Sequence, residues 1–320
     1  MTTSLYLYCL REPSGKATEA SVIKSQGVNG NDGVIIRAFD GIEAVVSEVN
    51  LNDFGEMQKK AQEDIHWIKE KALAHEMVIE EAMGLSRSER DKSADNSRDR
   101  NHKDMANIAR ERASYMAGAD VGSPLADDNY RRPDLFAVIP VKFGVIFNTN
   151  ERLAHVISGQ SAAIKAAFDR IRAKQEWSVK LFLKDNQKFK DQVREQSELF
   201  REKSNALAAL PAGMAYFMEE EFNGELEREC SRRLDEEAMK TFDELKPFAA
   251  EATLVKILDS KLTGRSERMI LNSACLIAVS GLTKFQQAVK KMREKLAPAG
   301  FLIEQGGPWP AYHFTEFAHE

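Results

Sequence analysis

The sequence predicts an α+β fold in two domains, and three observations carry that reading. At 320 residues the chain has room for two cores at ~100–200 residues per domain. Its 43% hydrophobic and 30% charged residues are those of a globular chain. Near Lys174 one set of elements ends, and a new set follows in the order β-α-β-β-α-β.

In the first half, Ser4 to Leu10 is rich in aliphatic and aromatic residues and reads as a strand before the turn set Pro13-Ser14-Gly15. The Gly/Asn-rich stretch Gly27 to Gly33 leads into a second strand, Val34 to Phe39. Asp40-Gly41 then makes a hairpin to Ile42–Val49. Both strands carry apolar residues on both faces, so both are expected to be central and covered. From Glu56 the period changes. Met57, Ala61, Ile65, Ile68, Ala72, His75, Ile79, Ala82 and Met83 fall within roughly 100° of arc, which predicts a long amphipathic helix. Ser86 to Asp104 then holds 11 charged residues among 19, with Ala94 its only aliphatic. Such a stretch buries too little to offset its ordering entropy, and a disordered insertion is expected over 86–132. Leu135 to Val141 reads as a strand that Pro140 confines to an edge or a bulge. A helix capped around Thr149 runs to about Lys174 and completes an N-terminal α+β domain with a small sheet, residues 1–174.

In the second half, Trp177, Val179, Leu181 and Leu183 alternate with Ser178, Lys180 and Phe182, as in a half-buried strand. Helices are expected over Asn186–Leu207 and Gly213–Leu245, strands over Ala252–Leu258 and Met269–Val279, a helix through Phe285, Val289, Met292 and Leu296, and a short strand over Phe301–Glu304. This order is that of a ferredoxin-like domain, residues 175–320, whose helices share one face of an antiparallel sheet. Glu219–Lys246 carries a net −6 and Lys284–Lys295 a net +4, which favours side-by-side helices unless both faces are merely solvated. Met218, Phe222, Leu226, Cys230, Leu234, Ala238 and Phe242 recur every fourth residue, so their stripe winds around the helix. Either the helix breaks at Gly224 or its ends pack on different partners. We adopt the second, with the outer end on the N-terminal domain or the tail. In that tail, 306–320, Pro308 and Pro310 flank Trp309 and predict an extended path without regular ladder bonding. The aromatic residues that follow fold back as a clasp or meet a partner.

Chemical motifs are scarce. A net charge of −5 gives no general reason to bind nucleic acid, and Met269–Val279 lacks the stacking aromatics of an RNA-binding sheet. No apolar run approaches the ~18 residues of a membrane span, and the N-terminus lacks a basic signal region. Cys9, Cys230 and Cys275 form no close pair, as expected of reduced intracellular thiols. After His75-Glu76 the second histidine of H-E-x-x-H is replaced by Ile79, so His75 reads as a core histidine bonded to a backbone carbonyl. Gly27, Gly30 and Gly33 have the wrong spacing and context for a phosphate cradle. No catalytic, cofactor-binding or metal-binding residue is proposed. The candidate partner-binding residues are Met218, Phe222, Trp309, Tyr312 and Phe314.

Seven segments in register carry a resemblance. They are L-Y-L-Y-C-L at Leu5–Leu10, A-V-V-S-E-V at Ala44–Val49, H-E-M-V-I-E at His75–Glu80, I-P-V-K-F-G-V-I-F at Ile139–Phe147, E-W-S-V-K-L-F at Glu176–Phe182, L-N-S-A-C-L-I at Leu271–Ile277 and G-P-W-P-A-Y-H-F at Gly307–Phe314. Together they resemble the gas vesicle protein L/F family (GvpL/GvpF) along essentially the whole chain. The chain departs from it by the insertion at about 86–132, and by Lys142 where the family usually has arginine. The resemblance implies a non-enzymatic accessory or minor structural protein of gas vesicle assembly. It also implies the shell protein GvpA and other accessory proteins as partners, no cofactor, and a place in the cytoplasm or on the vesicle. Capture of shell subunits and scaffolding among accessory proteins both remain open, as does a small-molecule enzyme with its site between the domains.

Overall fold

The computed structural model describes residues 3–13, 23–30, 33–50, 65–85, 135–257 and 265–318. The expected helical turns before Ile65 and the charged insertion over 86–132 lie outside the described residues. The first sheet is built from β1 (Thr3–Arg11), β2 (Val34–Phe39), β3 (Ile42–Asn50), β4 (Val138–Pro140) and β5 (Ile146–Phe147). Its antiparallel order is β2-β3-β1-β4, and β5 also pairs β1. Asp40 (φ 49°) and Gly41 (φ 75°) both take the left-handed backbone of a tight hairpin, a conformation that an Asp-Gly pair supplies cheaply. Pro140 lies on an edge strand, where its missing N–H costs no ladder bond. The expectation that β2 is central is corrected: β2 is the opposite edge, and Ile35 is exposed on it.

β1 serves two cores at once. Leu5, Leu7 and Leu10 face one side, and Tyr6, Tyr8 and Cys9 face the other. Strict alternation would put Leu7 and Leu10 on opposite faces, but the register shift between Leu7 and Cys9 restores them to one. Helix α1 (Ile65–Met83) covers the tyrosine face through Val78, Ile79 and Ala82. On the leucine face lie α2 (Asn150–Gly159) and α3 (Ser161–Ile171), which bury Leu153, Val156, Ile157, Ile164, Phe168 and Ile171. Thr149 Oγ1 accepts from the Arg152 N–H at 3.1 Å and caps α2 as the sequence implies. The single helix expected to Lys174 is instead two, parted at Gln160 directly after Gly159, a weak helix former.

The second sheet contains β6 (Lys174–Leu183), β7 (Glu251–Leu254), β8 (Arg268–Ala278) and β9 (Phe301–Trp309), antiparallel in the order β7-β8-β6-β9. Between β6 and β7 run α4 (Asn186–Gln196), α5 (Glu198–Ala208) and the 34-residue α6 (Ala212–Leu245), and α7 (Leu282–Leu296) links β8 to β9. The helix expected over Asn186–Leu207 is broken at Ser197, whose extended backbone separates α4 from α5. Two antiparallel sheets with helices packed on them make this an α+β protein.

Helix α6 passes through Gly224 unbroken. Leu234, Ala238, Phe242 and Leu245 pack with α7 on the sheet, while Phe222, Leu226 and Cys230 pack against Val193 of α4 and Phe200 of α5. The ends therefore have different partners, as the winding stripe requires. The outer partner is the α4–α5 pair and not the N-terminal half or the tail. Lys295 Nζ meets Glu244 Oε1 at 2.9 Å where α7 and α6 lie side by side.

Two further expectations are corrected. β6 is buried on both faces, not one, because Ala274 and Leu276 of its neighbour β8 belong to the same apolar cluster as α2, α3 and Ala311, Phe314 and Phe317. β9 also continues to Trp309 in register with Glu176, so the segment expected to lack ladder bonding is largely strand. The prolines are accommodated because β9 is an edge and its pairing shifts between Glu176 and Ser178.

Candidate functional site

Two places concentrate side chains whose environment departs from the ordinary: a polar seam where the C-terminal segment closes against both sheets, and an apolar tip on the α5–α6 hairpin. The seam begins at Gly307. Its φ of +135° disfavours a side chain, and a Cβ there would stand 2.9 Å from both the Glu176 carbonyl oxygen and Trp177 Cδ2. This close approach lets β9 stay paired alongside β6 before the chain turns at Pro310–Phe314, where the Tyr312 N–H donates to Pro310 O at 2.7 Å.

That turn aims consecutive residues at different elements. The Tyr312 hydroxyl donates to Glu76 Oε2 of α1 at 2.7 Å. The His313 backbone N–H donates to Glu176 Oε2 at 3.0 Å, and its Nδ1 lies 2.6 Å from Oε1 of the same carboxylate. A carboxylate only accepts, so Nδ1 carries the proton. Arg170 of α3 donates to the Phe314 carbonyl at 2.9 Å and also pairs with Glu251 of β7. Trp309 Nε1 donates to Ser178 Oγ at 3.2 Å. Glu76 and Glu176 are 3% and 1% exposed, so these bonds form where water does not compete. Burial, reinforced by the negative charge of Glu76, raises the Tyr312 phenol well above its ordinary value and keeps it a donor.

Beneath α1 lies a second closed network. The Val141 carbonyl is 3.0 Å from His75 Nε2, which fixes the proton there. Nδ1 then accepts from the Tyr6 hydroxyl at 2.8 Å, and that hydroxyl accepts from the Gly144 N–H at 3.0 Å. His75 is thus a core histidine held by a backbone carbonyl, as its place on the apolar stripe suggests. Burial lowers its pKa to about 3, so it is neutral at physiological pH. Cys9 and Cys275 are fully buried and burial pushes both thiols up, Cys275 to about 12. Among the described residues no group of three or more His, Cys, Asp or Glu is placed to hold a metal ion.

The hairpin tip is the opposite case. Met214, Tyr216 and Met218 of α6 are 60%, 68% and 48% exposed. Directly after them, Glu219, Glu220 and Glu221 are all exposed. Below the tip Phe222 is buried, its ring 5.8 Å from that of Phe200 in an edge-on pair worth ~0.5–1.5 kcal/mol.

The five residues singled out from the sequence are therefore not brought together. Met218 is exposed at the tip and Phe222 is buried under it. Trp309 and Tyr312 are half-buried in the seam, and Phe314 is buried in the cluster that joins the sheets. Sequence reasoning missed Glu76, Glu176 and His313, because Glu176 sits in an alternation that reads as a solvated face. It also missed Met214, although Met214 lies one helical turn before Met218 and extends the same spacing.

What the fold and these two sites define is a two-sheet α+β protein closed by its own C-terminal segment. The chain belongs to the family described as gas vesicle synthesis protein GvpL/GvpF, which it matches over residues 4–88 and 134–316. The unmatched stretch between these ranges coincides with the charged insertion read from the sequence. Its fold is similar to the crystal structure of the gas vesicle protein GvpF from Anabaena sp. PCC7120 (TM-score 0.59, 17% identity, covering 99% of this chain and 100% of that one). It is also similar to that of GvpF from Microcystis aeruginosa (TM-score 0.55, 17% identity, with the same coverage). No curated protein matches the chain. Membership gives the protein a role in gas vesicle assembly, as the seven sequence segments imply. No helix among the described residues is long and apolar enough to cross a membrane.

Proposed function

We propose that this protein acts in gas vesicle assembly by binding and not by catalysis, with the small hydrophobic shell protein GvpA and other accessory gas vesicle proteins as its partners. The observation that carries this reading is the contrast between the two sites. The buried polar groups of the seam are engaged in holding the chain's own tail, while large apolar side chains are presented to solvent at the tip of a long helical hairpin. An exposed apolar tip is costly to a solitary protein and useful to one that receives an apolar partner.

On this reading Met218 touches the partner and Phe222 supports it from below. Trp309, Tyr312 and Phe314 contribute by fixing the body from which the hairpin projects. The chain works as two domains, 1–174 and 175–320. The second is a ferredoxin-like unit, a reading supported by the strand order β7-β8-β6-β9, with α4 and α5 inserted before its first long helix. Assembly takes place in the cytoplasm, and the protein remains with the vesicle or returns.

The test is co-expression of the tagged full-length chain with GvpA, followed by affinity purification, together with flotation of cells lacking the gene. Co-purification of GvpA and loss of buoyancy are expected. Normal flotation of the deletion strain would overturn the reading. Loss of flotation with accessory proteins but no GvpA in the purified complex would replace shell capture with scaffolding.

A further inference from the structure

Resting on that binding role, we infer that the α5–α6 tip receives an amphipathic helix whose apolar face is bordered by lysine or arginine. Met214 and Met218 stand one turn apart on α6 and are 60% and 48% exposed, a spacing that matches one face of an incoming helix. Methionine side chains are unbranched and polarizable, which lets them conform to apolar surfaces of varied shape.

Charge specifies the rest of the partner. Glu219, Glu220 and Glu221 follow Met218 and are all exposed, and α6 has no basic residue before Arg228. On the facing helix α5, Lys203 is already tied to Glu225, which leaves the exposed Arg201 as its other cation. An apolar strip with an acidic collar repels an acidic partner and attracts a basic one, and it adds register to an otherwise non-directional apolar contact. The tip stands on a rigid base. Phe222, Leu226 and Cys230 bury against Val193 and Phe200, so the two methionines are presented by a packed helix and not by a loose end.

The experiment uses the purified full-length chain and two fluorescent helical peptides of about 18 residues, long enough to support a helix. They share one Leu/Ile face, flanked by lysine in the first and by glutamate in the second. Fluorescence anisotropy should show binding of the lysine-flanked peptide, weakened by salt. Met214→Ser/Met218→Ser should weaken it about tenfold or more. Glu219→Lys/Glu220→Lys/Glu221→Lys should transfer the preference to the glutamate-flanked peptide. Equal binding of both peptides, no binding of either, or unchanged binding by the methionine variant each overturns the inference. These exposed substitutions leave the fold intact, which circular dichroism and the unfolding midpoint verify. The two readings fail separately. Co-purification of GvpA undiminished in the double methionine variant removes this site and leaves the function standing. Absence of GvpA from the wild-type complex replaces shell capture with scaffolding, and the peptide preference then decides this site by itself.

Discussion

At the seam, two buried carboxylates are bonded to a half-buried tyrosine and a histidine; at the tip, methionines are in water. Each place reverses the usual partition of side chains, and the two reversals carry different costs. Glu176 is 1% exposed and is tolerated because His313 supplies both a ring N–H and a backbone N–H. The seam thereby fastens the last turn of the chain to β6, α1 and α3 at once. Surface pairs add little to that fastening: Arg172, directly after α3, reaches Glu12 after β1, but both groups are open to solvent, where water screens the attraction. Met214 and Met218 need no partner to satisfy, since a thioether has no strong hydrogen bond to lose. The difference teaches that stability resides in the seam and spare apolar surface in the tip, so substitutions should separate the two.

The largest effect is expected from Phe314→Ala. Phe314 is 3% exposed in the cluster joining both sheets, and its removal should cost about 3–5 kcal/mol in urea unfolding. If that transition then splits in two, the seam is also what couples the halves. Acid should act next, through His75. Its folded pKa of about 3 lies below the unfolded value near 6.5, so below pH 6.5 the unfolded chain takes up a proton that the folded chain refuses. By pH 5, stability should therefore have fallen by about 2 kcal/mol on account of this residue. His75→Gln should flatten that limb of the curve.

His313→Ala comes third. It keeps the backbone N–H to Glu176 and removes the ring, and because the imidazole is 29% exposed the loss should be about 1–2 kcal/mol. Chemical unfolding at neutral pH measures it, and an unchanged midpoint would move the seam's strength to its apolar contacts. The smallest effect on stability belongs to Met214→Ser/Met218→Ser, expected within ~0.5 kcal/mol of wild type. A large loss of stability there would erase the contrast, because it would mean that the tip is packed.

Much of the fold is legible in the sequence because it follows from periodicity and local chemistry. The Asp40-Gly41 hairpin, the Thr149 cap, the edge position of Pro140 and the backbone-bound His75 all rest on neighbours within a few residues or on the apolar face of one helix. The winding stripe of α6 likewise requires two partners before either is known. Of the tip, Met218 could be read from the stripe, and Met214 was within reach of the same rule.

What only the tertiary structure decided is the fate of faces. Ser178 and Glu176 alternate with apolar residues as solvated side chains do, and nothing near them announces that Trp309 and His313, more than 130 residues later, will cover them. The extension of β9 through Pro308 depends in the same way on what packs alongside, since it pairs with β6 up to Glu176. Local sequence sets which side of an element is apolar. Whether the other side meets water or a distant carboxylate partner is set by long-range packing, which periodicity does not encode.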